Sequence, residues 1–505
     1  MLNIIDKFLN RITMYRLVIY CLTFLLSLGF VLSFFGTLGF SPFSFLVSSI
    51  IIFTSCITLN YLFEIIFRAP LNPESTYITS LILCLIIGPE NSFKGYFFLL
   101  LICFIAISSK YLIAINKKHI FNPAGFAVAI LALFSLYYPS WWIGSSVMFF
   151  PVLITGLLIT RKIQRFDLVL SFIGIYILTS IGSITSQAQF LKLITNLFVY
   201  SPILFFVFVM LPEPSTTPPK RLNRVIYGAL VALLIAPFFH VGQIYFSLEL
   251  ALVLANIFSF LVSPKIKTNL IVKEKNSIAK NTLEFSFLPE KNFNFKPGQY
   301  MEWTIGHKKY DSRGVRRYFT ITSSPTEDLI KVAVKFYEKP STFKKNLLSL
   351  NIGDKILASQ LSGEFVLPQD KTKKLVFIAG GIGITPFRSM IKYLIDKNEK
   401  RDISVFYSAQ NYDDLSYKEI FEEAERKLGI KTIYILNSKE KNPPDFKHES
   451  GLLNVDIIKK AVPNFKDCLF YISGPKGMID SFNESLKTLK VSRFNIKTDF
   501  FPGYA

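Results

Sequence analysis

Three glycines within four residues, Gly380, Gly381 and Gly383, followed by Thr385 and Pro386, make the stretch of this chain best suited to hold a phosphate. Glycine removes the Cβ where a backbone must bend sharply and come close to a ligand. Thr385 is expected to cap the next helix with its hydroxyl, and Pro386 suits the first helical position. A helix that starts this way offers free N–H groups and the positive end of its dipole to an anion. A glycine turn by itself is also what any tight connection needs, so its surroundings decide its meaning.

Those surroundings are regular. Leu375 to Ala379 is a short unbroken apolar run, the pattern of a strand covered on both faces of a parallel sheet. From there strand and helix alternate over 375–380, 387–397, 403–408, 416–427, 431–435, 453–460, 468–473 and 477–488. This reads as an α/β nucleotide-binding domain over 371–505, with ligands at the C-terminal ends of its strands. Residues 263–370 instead alternate strands and turns rich in β-branched and aromatic residues, as an antiparallel β-barrel does.

Residues 1–262 are of another kind, strongly apolar with Lys and Arg in short clusters, and read as a polytopic membrane domain. The 505 residues suffice for about three domains at roughly 150 each. The 56 Lys and Arg against 35 Asp and Glu give +21, which raises nucleic acid as a partner. No binding module accompanies the charge, and part of it lies in loops between apolar segments, so nucleic acid is excluded. Of five cysteines only Cys468 lies in the polar half, which rules out a disulfide framework. Cys56, Cys84 and Cys103 read as small apolar residues, and His119 and His240 are too few for paired bis-histidine haems, so no metal is expected.

Apolar stretches of about 20 residues, enough for a ~30 Å hydrocarbon core, fall near 16–37, 43–63, 95–115, 121–138, 142–160, 167–186, 192–211, 225–240 and 245–262, with a shorter one at 76–88. The expectation is a multi-pass α-helical domain of about ten spans. With the N-terminus inside, Lys117-Lys118, Arg161-Lys162-Arg165, Lys220-Arg221-Arg224, Lys265 and Lys267 all fall on the cytoplasmic side, while the connections near 36–42, 139–141, 187–190 and 240–243 hold no basic residue. This places the chain in the cell membrane with both its N-terminus and its polar C-terminal half cytoplasmic. Pro73-Glu74-Ser75-Thr76, Asn122-Pro123-Ala124-Gly125 and Pro212 to Pro218 interrupt the apolar runs. They suit half-helices around a binding site or plain helix caps and turns, and the pattern leaves both open.

Two resemblances sharpen this. Pro297-Gly298-Gln299-Tyr300, Arg317-Tyr318-Phe319-Thr320 with Ser323-Ser324-Pro325, the glycine turn and Ser473-Gly474-Pro475 together resemble the ferredoxin–NADP⁺ reductase family across 264–505. The resemblance implies FAD as cofactor and NADH or NADPH as substrate. It implies Arg317 at the FAD pyrophosphate, Phe319 against the flavin ring, Tyr300 at the ring or the adenosine side, Thr320 at the N5 edge, and Tyr318, Ser323, Ser341 and Thr342 among the FAD-binding residues. On the nicotinamide side it implies Gly380, Gly381, Gly383, Thr385, Pro386, Gly474 and Pro475. Ser473, in place of the usual cysteine, and Asp499 complete the catalytic set with Thr320, and Phe501 covers the face where nicotinamide docks. Ala409-Gln410-Asn411 with Asp413 and Asp414 leans towards NADH, while Lys418 keeps NADPH open.

The second resemblance covers most of 40–262. Thr79 to Leu83, Lys110, Phe121-Asn122-Pro123-Ala124, Pro214 to Pro218 and Tyr227-Gly228-Ala229 look like the B subunit of the Na⁺-translocating NADH:quinone reductase and the D subunit of the Rnf complex. The family's Ser-Gly-Ala-Thr segment that carries covalent FMN is missing here, which leaves a non-covalent FMN or riboflavin as an open question. The combined expectation is a membrane-bound, FAD-dependent NAD(P)H oxidoreductase passing electrons to a flavin, quinone or redox-protein acceptor. Two alternatives stand beside it: a redox-driven Na⁺ or H⁺ transporter, with Glu64 and Glu249 as its acidic residues, and a cytoplasmic reductase merely anchored by its membrane half.

Overall fold

The computed structural model describes residues 2–499 apart from 11, 70–71, 116–117, 182–190, 193–194, 197, 243, 265, 308, 438–442 and 444. The chain forms two compact units, one of Met1–Lys267 with Thr304–Arg316, the other of Thr268–Trp303 with Arg317–Phe501.

The first unit is helical: α1 Met14–Phe34, α2 Pro42–Ile66, α3 Pro73–Ile86, α4 Phe93–Leu112, α5 Pro123–Leu133, α6 Phe149–Ile163, α7 Phe166–Ile181, α8 Arg221–Leu234 and α9 Leu248–Val262. The starts are set by short polar side chains that take up otherwise unpaired backbone donors. Ser41 accepts from Ser44 N at 3.1 Å, Ser92 from Gly95 N at 3.0 Å, and Asn122 from Gly125 N at 2.9 Å. Asn122 also donates to Glu213 at 2.8 Å, and its backbone N–H donates to Asn256 of α9, whose amide donates to the Tyr227 hydroxyl of α8, both at 2.8 Å. Asn256 and Tyr227 are fully buried, and each of these polar groups is satisfied by another.

The expected ten spans are not found. Among the described residues four helices are long and apolar enough to cross a membrane: Met14–Phe34, Pro42–Ile66, Phe93–Leu112 and Ser146–Ile163. Apolar run length overstates helix length here because the runs contain breaks. The run at 121–138 yields an 11-residue helix, about 17 Å at 1.5 Å per residue, since Asn122-Pro123 starts it late and Ser135 takes a left-handed φ of +56°. Trp141 at φ +50° delays the next helix behind two short 3₁₀ turns. The described part of 192–211 includes a three-residue α-turn, Ile203–Phe205, that runs into a π-turn, Phe206–Met210. Lys117, Lys265 and the 187–190 connection lie outside the described residues.

In the second unit β1 Lys267–Ala279, β2 Thr282–Pro289, β3 Tyr300–Thr304, β4 Arg316–Thr320, β5 Ile330–Lys335 and β6 Lys355–Ser362 form one sheet in the order β4-β3-β6-β1-β2-β5. Period-two alternation puts Leu270, Val272, Phe285, Phe287 and Trp303 inside, with Phe287 and Trp303 ring centroids 5.4 Å apart. The expected antiparallel β-barrel is a half-barrel. Edge strands β4 and β5 are not paired to each other, although past the end of β4 Thr322 N donates to Lys331 O at 2.8 Å, Lys331 N to Ser323 Oγ at 3.0 Å and Ala333 N to Thr322 Oγ1 at 3.3 Å. Helix α10, Thr342–Ser349, lies between β5 and β6 in sequence.

A second, parallel sheet follows: β7 Leu375–Gly380, β8 Ile403–Ala409, β9 Lys431–Leu436, β10 Glu449–Ser450, β11 Leu469–Ser473 and β12 Ile496–Thr498, in the order β10-β9-β8-β7-β11-β12. Helices α11 Thr385–Asp396, α12 Lys418–Leu428, α13 Val455–Ala461 and α14 Lys476–Thr488 connect them. Every residue of β7 is buried, as its apolar run requires, and Phe377 stacks on Phe387 of α11 with centroids 4.6 Å apart. β7 sits between β8 and β11 in parallel register, so their C-terminal ends align.

Candidate active site

The glycine turn closes at the C-terminal end of β7. Gly381 holds φ +54° with open space around its missing Cβ, and a Cβ on Gly383 would lie 2.4 Å from the Ser473 carbonyl oxygen. Gly383, Ser473 and Gly474 thus meet backbone to backbone, which only glycine at 383 allows. Thr385 is not the cap. It is the first residue of α11, the cap position belongs to Ile384, and a 3₁₀ turn over Gly381–Ile384 leads into the helix, so this start differs from the Thr-Pro cap expected from sequence. Pro386 does occupy the first turn.

Beside the turn, the Ser473 hydroxyl donates to Asp499 Oδ2 at 3.2 Å, with both side chains buried. Asp499 is brought there by its backbone N–H, which donates to Ile472 O of β11 at 3.0 Å. Pro475 lies at the same edge, where a Cβ on Gly380 would come within 3.0 Å of it. Phe501 lies outside the described residues.

The flavin-side candidates come from β3, β4 and α10. Alternation along β4 divides them: Arg317 and Phe319 both approach Phe343, at 5.3 Å for the guanidinium and 6.0 Å between ring centroids. Phe319 is half-buried and Arg317 is 9% exposed. Tyr318 points the other way, donating to Gln360 Oε1 at 2.8 Å and meeting the Tyr300 ring edge-on at 5.6 Å. Ser341 caps α10, accepting from Lys344 N at 3.3 Å, so Ser341, Thr342 and Phe343 set the helix N-terminus next to Arg317 and Phe319. Thr320 is buried at the end of β4, and Ser323 turns inward to accept from Lys331 N at 3.0 Å. A guanidinium, a helix N-terminus and a half-buried aromatic on one face form a donor set that fits a dinucleotide's pyrophosphate and ring.

Sequence reading passed over Phe343, Glu327 and Arg388. Phe343 was signalled by an aromatic directly after a Ser-Thr helix start, and Arg388 by a cation in the first turn of a helix, where the dipole disfavours it. Glu327, whose carboxyl is pushed up by burial, is held below its ordinary range because the hydrogen bonds and charge of Arg388 outweigh that burial. Lys418, the cation that kept NADPH open, lies over the Tyr412 ring at 3.4 Å.

Comparison with known proteins agrees with this half of the chain. The family described as "Oxidoreductase NAD-binding domain" matches residues 377–484. A flavohemoprotein of Oceanobacillus iheyensis is 27% identical over 239 residues, covering 46% of this chain and 58% of that protein. NADH-cytochrome b5 reductase 1 of Aspergillus oryzae is 27% identical over 233 residues, 44% of this chain and 78% of that one. Among solved structures, the Amycolatopsis cytochrome P450 reductase GcoB aligns over 47% of this chain and 70% of its own, with 21% identity and a TM-score of 0.42. The chain therefore spans little more than half the length of the flavohemoprotein it matches. None of these likenesses ties residues 40–262 to the sodium-translocating reductase or the Rnf complex. What they support is an NAD-binding oxidoreductase domain over residues 377–484, similar to part of the flavohemoprotein, in a chain that also carries an apolar helical region.

Proposed function

We propose that this protein is an NAD(P)H reductase whose helical half holds it at a membrane while its second unit delivers electrons to an acceptor outside that half. The observation that carries the reading is the pairing of two phosphate-suited helix starts in one unit: α11 behind Gly381 and Gly383, and α10 beside Arg317 and Phe319. FAD bound at the second of these supplies hydride acceptance followed by release of single electrons, which a nicotinamide does not offer. Arg317 and the α10 N-terminus would hold its pyrophosphate, Phe319 would lie against its ring, and the Thr320 hydroxyl would face its N5 edge. The glycine turn would hold the pyrophosphate of NADH or NADPH. Ser473, oriented by Asp499, would position the nicotinamide against the flavin, where reacting atoms about 3–3.5 Å apart are needed.

The anchored reading is favoured over a path through the helical half because, among the described residues, four helices rather than ten are long and apolar enough to span. A flavin in that half, a quinone and a protein acceptor all stay outside the proposal. Purified full-length protein should yield about one FAD per chain on denaturing extraction and reduce ferricyanide with NADH or NADPH. In sealed proteoliposomes with the reductase half outward, an external acceptor should be reduced and an enclosed one should not. Reduction of the enclosed acceptor would replace the anchored reading with a transmembrane one, and absence of FAD would end both.

A further inference from the structure

Arg388 lies in the first turn of α11, 4% exposed, where neither burial nor the helix dipole favours a cation. What keeps it there is Glu327. Arg388 Nη2 donates to Glu327 Oε1 at 2.9 Å, Nη1 pairs with Glu327 Oε2, and Nη1 also donates to the Thr322 carbonyl at 3.2 Å. Glu327 is itself fixed by Ser324 N, which donates to Oε2 at 2.6 Å. The next helix residue, Ser389, donates to Ser323 O at 2.6 Å. Lys331 Nζ lies 3.3 Å from Glu327, so the carboxylate faces two cations from two elements.

The consequence is geometric. Residues 322–327 begin two positions after Thr320, at the flavin end of β4, and Arg388 and Ser389 come two and three positions after Pro386, at the nucleotide end of α11. The two partners of a hydride transfer would thus be held by chain segments fastened to each other within a few residues of each site. A misplacement of 1 Å can cost such a step roughly 10²-fold. The fork of Arg388 suits this task because its two-pronged bonding to one carboxylate fixes direction as well as distance, which a lysine would not do.

We infer that Arg388 is a positioning residue for hydride transfer, acting through Glu327 and Thr322 to set the nicotinamide turn against the flavin strand. The inference rests on the reductase reading above and names the device that aligns its two ligands. The test is anaerobic stopped-flow reduction of the bound flavin in full-length wild type, Arg388→Lys, Glu327→Gln and the milder Ser389→Ala, with NADH and NADPH as the probes. The expected result for Arg388→Lys and Glu327→Gln is a limiting reduction rate about 10- to 100-fold lower. The flavin-to-protein ratio and the nucleotide dissociation constant should stay near wild type at an assay temperature where every variant is folded, whatever lowering of the melting temperature the broken ion pair brings. The primary deuterium isotope effect with 4-deuterated nucleotide should rise, a change that a purely structural tie would not produce. Ser389→Ala should show the same pattern in weaker form. A limiting rate equal to wild type overturns the inference, and so does a rate that falls only in step with lost FAD or lost stability. If neither nucleotide reduces the wild-type flavin, it is the reductase reading that has failed, and this inference with it.

Discussion

The two halves of this chain obey different rules of legibility. In the reductase half, chemistry depends on a few residue types at fixed spacing, and the same residues shape the backbone. Gly383 must be glycine because a neighbouring strand end comes within 2.4 Å of where its side chain would start. In the helical half the composition announces apolar helices, but helix length depends on where a run is interrupted. An Asn-Pro start and a left-handed serine shorten the 121–138 run to 11 residues without changing its hydropathy. The glycine turn and the strands flanking it survive translation into structure, whereas several of the run lengths do not.

This contrast can be tested. The largest effect is expected from Gly383→Val: the added side chain collides with the Ser473 carbonyl, so NAD(P)H-driven dye reduction should fall roughly 10²-fold or more while FAD content persists. Coupled loss of FAD would show that the flavin side and the nucleotide turn are not separable. Arg317→Ala comes next, removing charged hydrogen bonds of ~1.5–3 kcal/mol, so FAD retention on dilution should weaken about 10- to 100-fold. Unchanged flavin occupancy in an equilibrium dialysis would remove Arg317 from the site.

Asn122→Ala probes the other half. It deletes a helix cap and the donor to Glu213, and should cost about 1–3 kcal/mol in detergent melting while ferricyanide turnover per FAD stays constant. A fall in turnover would break the division between a chemical half and an anchoring half. Ser473→Ala should be milder, about fivefold in the flavin reduction rate with unchanged KM, the worth of one ~1 kcal/mol hydrogen bond to Asp499.

The smallest effect is one of pH. Burial pushes the Glu327 carboxyl up, but the hydrogen bonds and charge of Arg388, with the Ser324 N–H and Lys331, hold it below its ordinary value of 4.5. A depressed carboxyl contributes stability that is full above its unfolded pKa and is lost as pH falls through the folded value. Stability should therefore drop below about pH 4.5, and Glu327→Gln should flatten that drop in melting curves recorded across the acid range.

Taken by itself, the sequence determined the parallel strand at Leu375–Gly380, the glycine turn behind it, the β3 and β4 segments that carry Tyr300 and Arg317 to Thr320, and the apolar character of the first half. Local backbone demands and two-residue or helical periodicity write these directly into residue order. Tertiary structure alone decided that Tyr318 faces Gln360 while Phe319 faces Phe343, that Asp499 reaches Ser473 from 26 residues away, and that Arg388 finds its carboxylate 61 residues upstream. It also decided that the antiparallel sheet stays open and that, among the described residues, four helices are long and apolar enough to span. Such pairings are set by which faces and strand ends the fold brings together, and no spacing along the chain encodes the distance between residues so far apart in it.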